Sequence, residues 1–188
     1  MRIGLDAGHG GVNEKGVYVT PGKRSFIPID GEWFYEGVNN RIYAKEYAKV
    51  LEQYGHEVIF ITDPNDYKDI PLSTRVTIAN SKNLDLLVSI HSNAAKDFRP
   101  RGYEVWTAKN ASRKSNEYAD AWINQMKKKF PNLKNRGHRK ADFTIVKRTN
   151  CPAILLEIEF HSNTDAVRLM RTWEYTFQTA VVLAESLK

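Results

Sequence analysis

Asp85-Leu86-Leu87-Val88-Ser89-Ile90-His91-Ser92-Asn93 is the stretch on which the reading of the fold turns. Its apolar residues are consecutive rather than alternate. The strand it predicts, from Asp85 to Ile90, is therefore covered on both faces, as at the centre of a sheet layered by helices. His91 follows that strand directly. Two other runs have the same form: Arg2 to Asp6 leads into Ala7-Gly8-His9-Gly10-Gly11, and Ala153-Ile154-Leu155-Leu156 leads into Glu157. In sheets of this kind, sites gather where strands end.

Working outward, helical spacing of Tyr43, Tyr47, Val50, Leu51 and Tyr54 predicts a helix from about Trp33 to Tyr54, stopped by Gly55. Pro71 opens a second helix, to about Lys82. A third runs from Ser112 to Phe130, with Lys127, Lys128 and Lys129 favourable at its negative end. Thr164 to Leu187 is helical with a break near Thr172. Further strands are expected at Glu57 to Thr62, Gly102 to Thr107, Asp142 to Lys147 and Ala153 to Ile158. Residues 12 to 32 hold Gly16, Pro21, Gly22, Pro28 and Gly31, which predicts a long loop or small hairpin near the site. The order β-α-β-α-β-β-α-β-β-α gives an α/β fold: one twisted, mixed, six-stranded sheet flanked by helices on both faces.

Composition sets the outer limits. A chain of 188 residues, 41% hydrophobic and 27% charged, reads as one globular domain over 1–188, with no separate binding domain. No apolar run approaches the roughly 20 residues needed to span a bilayer, so no membrane insertion is expected. The N-terminus reaches Asp6 too soon for a signal peptide, which implies another route of export or a leader already removed. Cys151 is the sole cysteine, so no intrachain disulfide forms. In Thr149-Asn150-Cys151-Pro152 it reads as a small turn or core residue rather than a nucleophile.

Net charge is +6, and it is concentrated: from Lys127 to Arg148 there are nine Lys or Arg against Asp142 alone. Such a segment predicts attraction to a polyanion, whether nucleic acid, an anionic membrane or an acidic wall polymer. A solvated basic face explains it equally well. The segment carries no nucleic-acid docking motif and no interleaved stacking aromatics, so no nucleic-acid partner is expected.

The candidate chemistry lies elsewhere. His9 sits among glycines that let the backbone turn sharply and clear space around the ring. Glu36 opens a helix, where a carboxylate also suits the helix dipole. Glu157 closes an apolar strand, and a carboxylate there must be paired, neutral or metal-associated. Two imidazoles, one carboxylate and an open fourth position make a hydrolytic zinc site. His56 and His138 are poorer candidates, because the first follows a helix-ending glycine and the second lies in the basic stretch.

Four motifs together carry a resemblance. They are Gly4-Leu5-Asp6-Ala7-Gly8-His9-Gly10-Gly11; Glu36-Gly37-Val38-Asn39; Leu72, Arg75, Ala79 and Asn80 before the His91 strand; and Pro152 to Glu157 continuing through Phe160, Ser162 and Asn163. Over nearly its whole length the chain resembles the zinc-dependent N-acetylmuramoyl-L-alanine amidases of the type-3 family, which occur in phage endolysins and bacterial wall-remodelling enzymes. The resemblance implies one Zn²⁺ held by His9, Glu36 and His91, with Glu157 as the catalytic carboxylate. It implies hydrolysis of the amide between the lactyl group of N-acetylmuramic acid and L-alanine in peptidoglycan. Asn93, Arg139 and Lys140 are weaker candidates for substrate contacts. Anionic wall polymers are a second expected partner, through Lys127 to Arg148. Action would be on the bacterial wall, by phage-lysin release, in a mother cell, or as an excised domain. Competing readings are another zinc amide hydrolase, such as a peptidase or deacetylase, and a non-catalytic wall-binding module.

Two positions depart from the family pattern: Glu159 stands where glycine is usual, and His161 where an aliphatic residue is usual. If the strand continues, Glu157 and Glu159 share a face. Glu159 would then raise the pKa of Glu157, bind substrate, or turn away at a bend; His161 is open at this point.

Overall fold

Six strands form one sheet in the order β2-β1-β3-β6-β4-β5. They are β1 (Arg2–Ala7), β2 (Glu57–Phe60), β3 (Leu86–Asn93), β4 (Tyr103–Thr107), β5 (Asn135–Lys140) and β6 (Ala153–Phe160). A computed structural model describes residues 1–188. β1, β2, β3 and β6 run parallel; β4 runs against β6, and β5 follows β4. The carboxyl ends of β1, β3 and β6 therefore lie at one side of the sheet, as expected for His9, His91 and Glu157.

The two faces are unequally covered. Helices α1 (Glu36–Gln53), α3 (Arg113–Lys129) and α6 (Trp173–Ser186) enclose one core of 29 buried residues, among them Tyr43, Tyr47 and Trp122. The other face carries only α2 (Leu72–Asn80) and the single turn α4 (Thr144–Lys147), over 10 buried residues. The thin cover leaves room for a groove there. α5 (Thr164–Met170) precedes α6, and the break between them falls at Thr172, whose side chain accepts from the Tyr175 N–H and caps the second helix. No helix is long and apolar enough to cross a membrane.

One expected strand is wrong. Asp142 to Lys147 does not join the sheet; its apolar residues Ile145 and Val146 instead pack as the turn α4 onto the smaller core. The strand lies earlier, at Asn135–Lys140, in Asn-Arg-Gly-His-Arg-Lys. It is an edge strand without one apolar residue, so hydrophobic patterning passed over it. Two other strands run further than expected. β3 continues through His91 to Asn93, so His91 sits within its strand rather than after it, and β6 runs on from Ile158 to Phe160.

Candidate metal centre and groove

His9 leaves β1 in the left-handed region, at φ 64°. Its carbonyl explains how that strained backbone persists. Arg41 from α1 donates to it at 2.7 Å and Arg75 from α2 at 3.3 Å. Arg75 is buried, and it also pairs with Asp6 at 2.8 Å and Asp69 at 2.9 Å. Asp6 in turn accepts from Ser89 on β3 at 2.7 Å. Gly8 is required for a different reason: a β-carbon there would collide with the His91 imidazole. The two imidazoles stand edge to face, 5.0 Å between centroids.

Glu36 joins them. It is 2% exposed, at the first turn of α1. Its Oε1 lies 3.0 Å from His91 Nδ1 and 3.3 Å from His9 Nε2, and accepts from the Ser92 N–H at 3.3 Å. Burial pushes its carboxyl up, but the hydrogen bonds and charges of His9 and His91 outweigh that and hold it well below the usual carboxylate range. One ligand atom from each of His9, Glu36 and His91 lies within 4.8 Å of the others, so the three can hold one metal ion.

Glu157 is the next residue across the sheet. It pairs with His91 on β3 and with Glu104 on β4. Residues directly opposite share a face, so all three point into the groove side. The Oε2 of Glu157 is enclosed without a hydrogen-bond partner. Burial, then the negative charges of Glu36 and Glu104, push its carboxyl well above the usual range, against an opposing pull from Lys23.

Glu159 does not join this pair. One extra residue in β6 between the pairs His91–Glu157 and Asn93–Phe160 makes a bulge, which turns the strand. Glu159 is fully buried, accepting from the Gly102 N–H at 2.7 Å and from Arg101 at 3.2 Å. Like-charge pressure on Glu157 comes from Glu36 and then Glu104 instead. His161 does line the groove. Its Nδ1 lies 3.0 Å from both Ser92 Oγ and the Ser92 carbonyl, and 3.8 Å from Glu36 Oε2. Burial holds its imidazole below the ordinary value.

The groove holds about 540 Å³ and runs from His9 past Glu157 to Phe143. Asn93 lines it, but its side chain is largely engaged: Nδ2 donates to Glu104 at 2.7 Å and Oδ1 accepts from the Ala94 N–H at 2.8 Å. Arg139 is near, its Nε 3.1 Å from Glu104. Lys140 is not: it pairs with Thr107 on the opposite face and is exposed there. His138 bridges Thr107 and Asp120 at 2.8 Å each, away from the metal ligands. The basic stretch is not one patch either. Lys127 to Lys129 sit exposed on the last turn of α3, while Arg136 and Arg139 are tied to Glu104 and Lys147 to Asp142.

Sequence reasoning missed Glu104, Lys23 and Arg136. Glu104 alternates with Tyr103 and Val105 as a solvent-facing residue of an outer strand would, so nothing marked it as buried. Lys23 lies in the loop before α1, where its carbonyl accepts from the Glu36 N–H at 2.9 Å and so anchors the helix start. The loop itself is as expected, irregular with isolated bridges such as Val12–Tyr18 and Arg24–Tyr35.

Known proteins resemble this chain in sequence and fold. The family described as N-acetylmuramoyl-L-alanine amidase matches residues 3–188. The endolysin of Bacillus phage SPP1 is 27% identical over 188 residues, covering 98% of this chain and 64% of the endolysin. A probable cell wall amidase of Staphylococcus saprophyticus, LytH, is 31% identical over 161 residues, covering 86% of this chain and 48% of the relative. The chain thus spans less than two thirds of the length of these relatives. Among solved structures, the N-acetylmuramoyl-L-alanine amidase of Clostridium difficile 630 superposes with a TM-score of 0.84 at 28% identity, covering 99% of this chain and 94% of that one. With the family match running from the first strand to the last helix, the chain belongs to the N-acetylmuramoyl-L-alanine amidase family.

Proposed function

We propose that this chain is a zinc-dependent amidase. It cleaves the amide between the lactyl group of N-acetylmuramic acid and the L-alanine of the peptidoglycan stem peptide. The observation that carries the reading is the convergence of His9, Glu36 and His91 on one point, beside a glutamate with an enclosed, unpaired oxygen. Two imidazoles and a carboxylate are a donor set of catalytic zinc. The unpaired Glu157 oxygen fits a group that meets its partner only when metal and substrate are present. A zinc ion held there supplies a Lewis acid and lowers the pKa of a water toward about 7.

The remaining chemistry belongs to side chains. Glu157 accepts a proton from the attacking water and delivers it to the leaving amine. Ser92 and the arginine-clamped His9 carbonyl hold the ligand residues in place. Lys23, on the groove wall, offsets the charge of the carboxylates.

The test is digestion of purified wall, with and without a chelator, reading both new amino termini and new reducing sugar. The reading predicts new N-terminal alanine, no reducing sugar, loss on chelation and recovery with zinc. Zinc-independent release, or cleavage within the glycan, overturns it.

A further inference from the structure

We infer that Arg136 and Arg139 form a subsite for a carboxylate of the stem peptide, aimed by Glu104, on the side of Glu157 away from the metal ligands. The inference rests on the amidase reading and extends it to the peptide side of the scissile bond.

Glu104 is 2% exposed, and both its oxygens are fully used. Oε1 accepts from Asn93 at 2.7 Å and from the Trp106 indole at 3.0 Å. Oε2 meets the Nε of Arg136 and the Nε of Arg139, each at 3.1 Å. A structural ion pair needs one guanidinium for one carboxylate; here there are two, leaving one positive charge in surplus. Arg136 donates its Nε to Glu104, whereas Arg139 stands beside the same oxygen as an ion pair without a hydrogen bond. Arg139 has no further partner, and Arg136 adds only a 3.5 Å contact from Nη1 to the Arg101 carbonyl. The side chains of Arg139 and Arg136 are 44% and 29% exposed, so part of each is open to solvent. Aromatic rings fix the guanidinium planes: Arg136 lies 4.8 Å from the Phe160 centroid and Arg139 5.7 Å from that of Trp106. Trp106 packs edge-on against Phe143, a wall of the groove.

Local backbone makes the pairing possible. Residues three apart on a plain strand face opposite ways. Between Tyr103–Asn135 and Val105–His138 the strand β5 carries one extra residue, with Gly137 at φ 86°. That bulge returns Arg136 and Arg139 to one face, the face of Glu104 and Glu157.

Distance points to the occupant. His91, Glu157 and Glu104 stand in register across β3, β6 and β4. Strands are about 4.8 Å apart, so the arginine pair lies roughly 5–10 Å beyond Glu157. An extended peptide advances about 3.4 Å per residue, so the second residue after the scissile amide reaches it. The lactyl carboxyl is consumed in the amide, so the anionic groups of a muropeptide are those of its peptide. Free guanidinium edges match a carboxylate in two parallel hydrogen bonds.

The experiment uses two soluble N-acetylmuramoyl-dipeptides that differ in one group. The second residue carries either a free α-carboxylate or its carboxamide. The parent chain should prefer the carboxylate by about tenfold in kcat/KM, the scale of one charge-assisted hydrogen bond, with the difference in KM. Arg136→Gln and Arg139→Gln should each bring the ratio toward one. Arg139→Lys, which keeps the charge but not the fork, should retain part of it. A parent ratio of one overturns the subsite, as does a ratio unchanged in all three variants. If the variants change only the rate on whole wall, and only while its anionic polymers are attached, the occupant is a polymer phosphate and the stem-carboxylate assignment fails. A parent that cleaves neither dipeptide, nor wall, removes the amidase reading itself; cleavage of both dipeptides at equal rate removes the subsite alone.

Discussion

The sheet face that carries the metal ligands has two differently built regions. At the metal end, His9, Glu36 and His91 are fixed by the covered strands β1 and β3, the start of α1, and the buried Arg75–Asp6 pair. At the arginine end, Arg136 and Arg139 stand on an edge strand without a core side chain, held by one buried carboxylate and two rings. The first end is rigid because the core of the sheet runs through it. The second is aimed by electrostatics at the rim. A perturbation at the metal end should therefore cost turnover, and one at the arginine end should change which substrate is preferred.

The largest effect is expected from Glu157→Gln. An amide of the same shape cannot take the proton, and loss of a general acid–base group costs roughly 10²–10⁴ in kcat. Zinc content by elemental analysis should stay near that of the parent; parallel loss of metal would move Glu157 into the ligand set. Next is Gly8→Ala. The added methyl collides with His91, so the imidazole must move, and zinc affinity should fall about 10- to 100-fold, as when ligand-orienting contacts are lost. Competition with a chromogenic chelator measures it, and an unchanged affinity would mean that His91 does not bind the metal.

A third outcome concerns stability. In the metal-free protein the Glu157 carboxyl is raised, by burial first and then by Glu36 and Glu104. A raised carboxyl keeps its proton in the fold after the unfolded chain has lost it near pH 4.3. Its stabilising contribution is complete below that pH and is lost as pH rises through the folded value. Metal-free Glu157→Gln should therefore match the parent in Tm at pH 4 and exceed it by a few degrees at pH 7.5. Equal Tm differences at both pH values would refute the raised carboxyl.

The smallest effect is expected from Gly137→Ala. A β-carbon there meets open space, so the cost is only that of the left-handed backbone, about 1 kcal/mol. Tm should drop slightly and the preference for a carboxylate substrate weaken, while metal content stays unchanged. If zinc binding fell as well, the two ends would not be independent.

The same contrast governs what could be read from sequence. His9, His91 and Glu157 were legible because each interrupts or follows an apolar run that had to be buried. Glu36 became legible through its motif, since a glutamate at a helix start has an ordinary explanation. β5 was not legible, because Asn135 to Lys140 carries no hydrophobic signal, whereas the apolar Phe143-Thr144-Ile145-Val146 offered a false strand. Glu104 was hidden for the same reason: its partners Arg136 and Arg139 lie more than thirty residues away in sequence, and only the pairing of β4 with β5 and β6 brings them together. The turn of Glu159 away from Glu157 depends on one inserted residue, which no periodicity announces.

The charges of β5 have one more consequence. β5 is a free edge of the sheet, with backbone N–H and C=O groups open to another chain. Edge strands of this kind invite pairing between molecules and aggregation, and charge or a bulge blunts that tendency. Arg136, Arg139 and Lys140, with the kink at Gly137, make β5 a poor template for an incoming strand. The arginines paired with Glu104 thus also work against pairing between copies of the protein. Exchanging them for apolar residues to retune specificity would leave an adhesive margin on the sheet, and the first symptom would be turbidity at high concentration rather than a lower melting temperature.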